Sequence, residues 1–351
     1  ELYPTFGKTW WMQRRPFRFQ VWAEYDWLLP PLLTLEYVPD DDETDAVKLT
    51  IKDPVKRAKV AKLEYGDLVA VENFIVQRVY RDKNVIQLAI GKGTEAARRA
   101  YKIEVRGLNL AQDAFYRGEV MERLVGRVWK TRAEILQIAT HALEPDFDMR
   151  AEMIPGFGRP EKLPNPIIAY DALMDRYVNG SLSKIHGDLH LGNILMGPNR
   201  SPFLIDFAQT RDGHTLFDWA CLEVSLLNDV VVPLMGESWD AARQVMPVVA
   251  ALLQHQIPPG THAMLVESMR PLLLLREIVE ECLSAPDHWS EYFVALAMCA
   301  LRAVTWDTMS IGGRRLMFLL SAYAISELRS HLRQSGSLDT MTTDDTDATD
   351  F

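Results

Sequence analysis

Three oxygen-bearing side chains stand close together in one stretch of the chain: Asp188, Asn193 and Asp206. The stretch runs from Lys184 as Lys-Ile-His-Gly-Asp-Leu-His-Leu-Gly-Asn-Ile-Leu-Met, then a polar turn, then Phe203-Leu-Ile-Asp-Phe. The apolar runs Ile194-Leu-Met196 and Phe203-Leu-Ile205 flank the turn-forming Gly197-Pro-Asn-Arg-Ser-Pro202 and predict a short hairpin. A loop carrying Asp188 and Asn193 precedes the hairpin and Asp206 closes it, so the three groups are expected to converge. Such a set suits phosphoryl transfer, which needs a carboxylate to orient an acceptor hydroxyl and take its proton, and oxygen ligands to hold Mg²⁺ against a triphosphate.

The spacing His186-Gly-Asp188, four residues, Asn193 is that of a protein-kinase catalytic loop, and Asp206-Phe207 stands where the metal-binding Asp-Phe pair follows. Position 208 is alanine where protein kinases have glycine. With its second histidine, His190, and its Ile205-Asp206-Phe207 strand end, the segment resembles the aminoglycoside phosphotransferase and choline kinase branch of the kinase-like fold. Gly213-His-Thr-Leu-Phe-Asp218-Trp-Ala also resembles that branch, which has a second aspartate there bracing the loop. The run is similar as well to the ternary-complex-associated, phosphotransferase-like domains of bacterial conflict systems.

The resemblance implies an ATP- or GTP-dependent, Mg²⁺-dependent transferase. In it Asp188 is the base, Asn193 and Asp206 are the nucleotide and metal ligands, His186 and His190 set the loop, and Asp218 supports from behind. The resemblance covers residues 160–228, weakens in the later helices and is poor before residue 150. His186 and His190 at i, i+4 lack a third ligand spaced to complete a zinc site.

The positioning elements come from the rest of the 351 residues. An apolar fraction of 48% with 25% charged residues is that of a globular protein, and a net charge of −10 gives no global attraction for nucleic acid. Residues 336–351 hold five acids and no base and read as a disordered tail. Cys221, Cys282 and Cys299 are three thiols in apolar helical text, so buried thiols in a reducing, cytoplasmic setting are expected rather than disulfides. No apolar run reaches the ~18 residues of a membrane span. The chain begins at Glu1, from which we expect a piece of a longer protein with flanking domains.

The expected fold is α+β and bilobal, with a large helical C-lobe. Residues 1–45 form a partial N-lobe, with a helix over 17–29 ended by Pro30-Pro31 and a strand over 32–38. Glu24 is a candidate to pair with a phosphate-binding lysine; Lys8, Lys48, Lys52 and Lys102 are the candidates for that lysine. Gly7-Lys8-Thr9 lacks the earlier glycine of a Walker loop.

Residues 46–107 alternate apolar and polar in five short runs and read as a β-barrel of OB or S1 type inserted in the frame, or alternatively as the N-lobe sheet itself. The block is locally basic, which admits nucleic acid as a partner. Residues 108–335 are expected to be helical over 108–143, then a loop, a helix over 167–178, the catalytic loop and hairpin, and long helices to the end. Glu277, Glu280, Glu281, Asp307 and Glu327 are candidates to line an acceptor pocket. The competing class is a silent, kinase-like adaptor.

Overall fold

The computed structural model describes residues 13–39, 46–50, 63–112, 114–158 and 160–334. The expected tail over 336–351, the acidic turn over 40–45, and Lys8 and Lys52 lie outside the described residues.

The chain enters as strand β1 (Arg15–Gln20), continues in helix α1 (Val21–Tyr25) and a 3₁₀ turn (Asp26–Leu28), and then forms β2 (Leu33–Tyr37). The helix expected over 17–29 is therefore strand over its first four residues. Phe17 and Phe19 alternate with Arg18 and Gln20, a strand period, and the helix occupies only the residues after Gln20. Strands β3 (Val47–Thr50), β4 (Leu68–Tyr80), β5 (Val85–Ala89), β6 (Ile103–Arg106) and β7 (Val120–Thr131) follow.

β4, β5, β6, β2 and β7 hydrogen-bond in that order and β7 returns to β4, so five strands close a barrel, with β3 added alongside β4. Closure leaves no free edge among those five. β2 and β6 run parallel, and every other neighbour inside the barrel is antiparallel. Its core is aliphatic and aromatic: Leu33, Leu35, Val69, Val71, Phe74, Ile86, Leu88, Ile103, Val105 and Val128 are buried.

The barrel takes β2 from before the expected insert and β7 from after it. The helix expected over 108–143 is thus overturned across Val120–Thr131. That strand's register shifts against β2 between Thr34 and Leu35, so its apolar residues lose the period of two. Thr131 then ends it as a helix cap: its hydroxyl accepts from the Glu134 N–H while Glu134 accepts from the Thr131 N–H, starting α2 (Arg132–His141).

A small hairpin of β8 (Met153–Pro155) and β9 (Lys162–Pro164) leads to α3 (Pro166–Met174), opened by an Asn165 cap and proline at its first position. After α3 comes β10 (Tyr177–Ile185); the helix expected over 167–178 ends at Met174, and the last two residues of that range open this strand, which the sequence pattern does not signal. β10 is the middle of a three-stranded antiparallel sheet with β1 and β13 (Arg211–His214). The hairpin β11 (Ile194–Met196) and β12 (Pro202–Leu204) forms as expected.

Helices α4 (Phe217–Leu226), α5 (Trp239–Ala251), α6 (Ala263–Cys282), α7 (Ser290–Ala303) and α8 (Ile311–Gln334) complete the chain. Every residue of α7 is buried except Arg302. A second, larger core joins these helices to β1, β10 and α3. Among the described residues no helix is long and apolar enough to cross a membrane.

Candidate functional site

The loop after β10 is held from below. Asp218, fully buried in the first turn of α4, accepts the His186 N–H at 2.6 Å and the Gly187 N–H at 2.9 Å. Burial raises the Asp218 pKa, and the two backbone donors, His186 and Arg211 oppose that rise. Gly187 has φ +83°, and a Cβ there would lie 2.2 Å from the Gln209 carbonyl oxygen, so only glycine lets the loop pass this close to the chain after Asp206.

A hydrogen-bonded circuit then ties the sequence-picked groups together. The His186 Nε2–H donates to the Ile205 carbonyl at 2.8 Å, the Ile205 N–H donates to the Asn193 carbonyl at 3.0 Å, and the Asn193 Nδ2 donates to the Asp188 carbonyl at 2.9 Å. The His186 ring packs on Phe207 with centroids 5.2 Å apart, and its Nδ1 is buried without a partner. His190 caps the turn Leu191–Asn193, its Nδ1 accepting the Gly192 N–H at 3.1 Å.

Asp206 is exposed and takes a left-handed conformation, φ +59°, which aspartate tolerates better than most residues. Asp188, Asn193, Asp206, His186, His190 and Asp218 are all brought into this one network or its edge.

Asp188 lines a cavity of about 320 Å³ together with His190, Ser225, Asn228, Asp229, Cys221, Cys299, Arg302 and Trp306. None of Glu277, Glu280, Glu281, Asp307 and Glu327 lines it: the four glutamates lie on α6 and α8, and Asp307 sits in the turn after α7 between the lining residues Trp306 and Thr308. Asn228 and Asp229 instead reach it from a π-helical turn (Leu227–Val231) that follows α4, an insertion of the kind that recurs at functional sites. Ser225 accepts the Leu191 N–H and donates to Asp229 at 2.9 Å, so the cavity wall and the loop after β10 are linked. Arg302 Nη1 lies 3.9 Å from Asp188 Oδ1. The signal for Arg302 was present in the sequence as a lone cation inside the apolar run from Tyr292 to Val304. The wall residues gave no comparable signal.

Glu24 is buried, but its neighbours are not a lysine. It accepts the His214 N–H, lies near Arg211 and receives Thr94, while burial raises its pKa against those influences. Lys48 pairs with Glu72 at 3.8 Å on the barrel surface. Of the candidate lysines among the described residues, Lys102 lies within electrostatic reach of Arg302; burial first, then Arg132 and Arg302, push its pKa down to about 8, against Asp26 and Glu104.

As for a metal, Asn193 spends its amide nitrogen on Asp188 and keeps Oδ1 as an acceptor, and Asp206 offers an exposed carboxylate. These are hard oxygen donors of the type Mg²⁺ takes, with water and phosphate completing its shell. Among the described residues no three His, Cys, Asp or Glu side chains gather as a metal-binding group.

The family model for ternary complex associated domain 9 matches residues 8–305, most of the chain. The chain belongs to the ternary complex associated domain 9 family. The matched residues span the barrel, the loop after β10, Asp218 and the whole of α7. No curated protein matches the chain.

Proposed function

We propose that this member of the family is a phosphotransferase of bilobal, kinase-like fold, with the barrel an OB-like unit set into its smaller lobe. It would move the γ-phosphate of ATP, or GTP, to a hydroxyl on an acceptor. The observation that carries the reading is the circuit from His186 through Ile205 and Asn193 to Asp188, clamped by Asp218. It fixes the backbone of an acid and two oxygen ligands in the order that phosphoryl transfer uses.

Asp188 orients the acceptor hydroxyl at the cavity mouth and receives its proton as the bond to phosphorus forms. Asn193 and Asp206 would hold Mg²⁺, which when bound neutralises charge on the transferred phosphoryl group. His186 keeps Asp206 in register with the loop, and the cavity beside Asp188 would take the acceptor.

The test is a melting experiment with MgATP on the parent and on Asp206→Ala. A ligand that binds the native state raises stability by RT ln(1 + [L]/Kd). The parent should shift upward and the variant should lose most of the shift. An equal shift in both would sink the metal assignment.

A second reading rests on Glu24, which faces Arg211 and His214 where a kinase would hold a lysine. On that reading the domain is a silent, kinase-like adaptor in a larger bacterial conflict protein, in keeping with a family name that speaks of a ternary complex. MgATP binding without turnover on any hydroxyl acceptor would favour it.

A further inference from the structure

Three buried or half-buried cations lie near Trp27, and the fold treats them unlike its other buried cations. Arg132 has Asp26 at 2.6 Å, and Arg276 has Glu223 at 2.7 Å. In both cases a buried guanidinium is matched by a carboxylate within hydrogen-bond distance, as the cost of desolvating a charge demands. Arg99, Arg211 and Arg302 have no such match.

These three come from separate elements: the 3₁₀ turn Ala97–Arg99 in the β5–β6 connection of the barrel, the first residue of β13, and α7. Yet their guanidinium carbons lie 5.8, 5.0 and 5.9 Å from the centre of one indole, that of Trp27. Arg99 donates to the amide oxygen of Gln209, a neutral partner. Arg211 is 2% exposed, with Nε and Nη1 buried and unbonded. Arg302 stops 3.9 Å from Asp188, beyond a hydrogen bond, with its other face on Trp306.

Among the described residues the nearby acids stop short of hydrogen-bonded pairing with the three arginines. Glu24 and Asp218 act on Arg211 through space, and burial raises the pKa of both. Glu95 acts on Arg99 only through space; burial and then Arg211 lower the Arg99 pKa all the same. Lys102 adds a further amine at the margin.

Resting on the phosphotransfer reading above, we propose that Arg99, Arg211 and Arg302, gathered on Trp27 beside Asp188, hold the phosphates of the nucleoside triphosphate in place of a lysine and a glycine-rich loop. Guanidinia are the side chains suited to this work, because their planar fork gives a phosphate two parallel hydrogen bonds. The three lie around a single side chain, so no two are farther apart than about twice their distance to it. That span fits a triphosphate rather than an extended strand. Arg302 touches both the cluster and the neighbourhood of Asp188, which places the last phosphate next to the base. Since Arg99 rides on the barrel, the site is complete only when the barrel is seated on the loop that follows Asp206.

The experiment uses the full chain and two probes, MgATP and inorganic tripolyphosphate. Each is titrated calorimetrically into the parent, Arg99→Gln, Arg302→Gln, Asp206→Ala and, as a surface control, Lys48→Gln. Both probes should bind the parent and lose at least about tenfold in affinity in each arginine variant, the loss of one charge-assisted contact. Lys48→Gln should match the parent.

MgATP binding that is equal in the parent and both arginine variants overturns the proposal and leaves the phosphotransfer reading standing. Arginine-dependent tripolyphosphate binding with MgATP binding indifferent to Asp206 supports the anion site and removes the phosphotransfer reading. No binding of either probe overturns the proposal. So does a single-stranded oligonucleotide that binds more tightly than tripolyphosphate with the same arginine dependence. Should Arg99→Gln fail to fold, Arg99→Lys, which keeps the charge and loses the fork, should fall between the parent and the loss described.

Discussion

Asp26 offers a sharp test of how the barrel is joined to the site. Its carboxylate is 1% exposed and its partner Arg132 is 4% exposed. One oxygen takes Arg132 Nη1 at 2.6 Å, and the other accepts the Tyr101 N–H. Arg132 also donates its Nε to the Pro30 carbonyl at 2.9 Å. One acid therefore anchors the 3₁₀ turn that carries Trp27 to two places on the barrel.

Asp26→Asn keeps the shape, removes the charge and gives up one acceptor. Arg132 is then left buried without a counter-charge, a loss of about 3–5 kcal/mol. By contrast, Lys184 and Asp212 are as close, 2.8 Å, but exposed at 47% and 55%, and a pair of that kind is worth about 0–1 kcal/mol. Burial, not distance, decides the difference. Urea unfolding followed by near-ultraviolet circular dichroism should give the large loss for Asp26→Asn and for Arg132→Met. The double variant should lose less than the two single losses added together, by at least about 1 kcal/mol, because neither charge is then stranded. A loss below about 1 kcal/mol in Asp26→Asn, or strict additivity in the double variant, would refute this account of the joint.

Asp188→Asn should slow transfer to a hydroxyl acceptor by a hundredfold or more, within the about 10²–10⁴ ascribed to a positioned base, while calorimetric affinity for MgATP stays put; equal loss of both would make Asp188 structural. Glu291 is buried, which by itself raises its pKa, but His214, His288 and the Ser284 N–H bring it down to about 2 from an ordinary 4.5. A depressed carboxylate contributes stability above its unfolded value and loses it as pH falls from about 4.5 toward 2. Unfolding free energies measured across that window should fall steeply for the parent and less steeply for Glu291→Gln; matching slopes would count against the assignment.

The helical half of the molecule was legible because its apolar residues recur at helical spacing. The loop, hairpin and Asp218 were legible because turn residues and lone acids stand at fixed intervals. Two strands were hidden for different reasons. In β7 the apolar residues Val120, Met121, Leu124, Val125 and Val128 happen to sit at helical spacing, and only Gly126 hinted otherwise. A Cβ there would lie 2.9 Å from Leu35 Cβ, so the residue marks a close approach of two strands.

β10 reads Tyr-Val-Asn-Gly-Ser-Leu-Ser-Lys-Ile, with too few apolar residues to signal a buried strand. Its Gly180 faces His214 and Glu291, whose side chains would stand within 3.0 Å of a Cβ. The arginines on Trp27 were not legible at all. They come from parts of the chain that only the folded topology brings together.

The pairing of β1 with β10 also bears on how the protein is made. Phe17 lies opposite Gly180, and Phe19 opposite Val178, so the partner emerges from the ribosome about 160 residues later. At about 5–20 residues per second, the first strand waits roughly 10–30 s for it. During that interval Phe17 and Phe19 have no sheet to join, a hazard for association between nascent chains. Pro16 within the strand removes one backbone donor from it, which blunts the strand as a template for another chain. Final assembly of the sheet that leads into the Asp188 loop therefore belongs to the later part of synthesis, after the residues of the barrel have already left the ribosome.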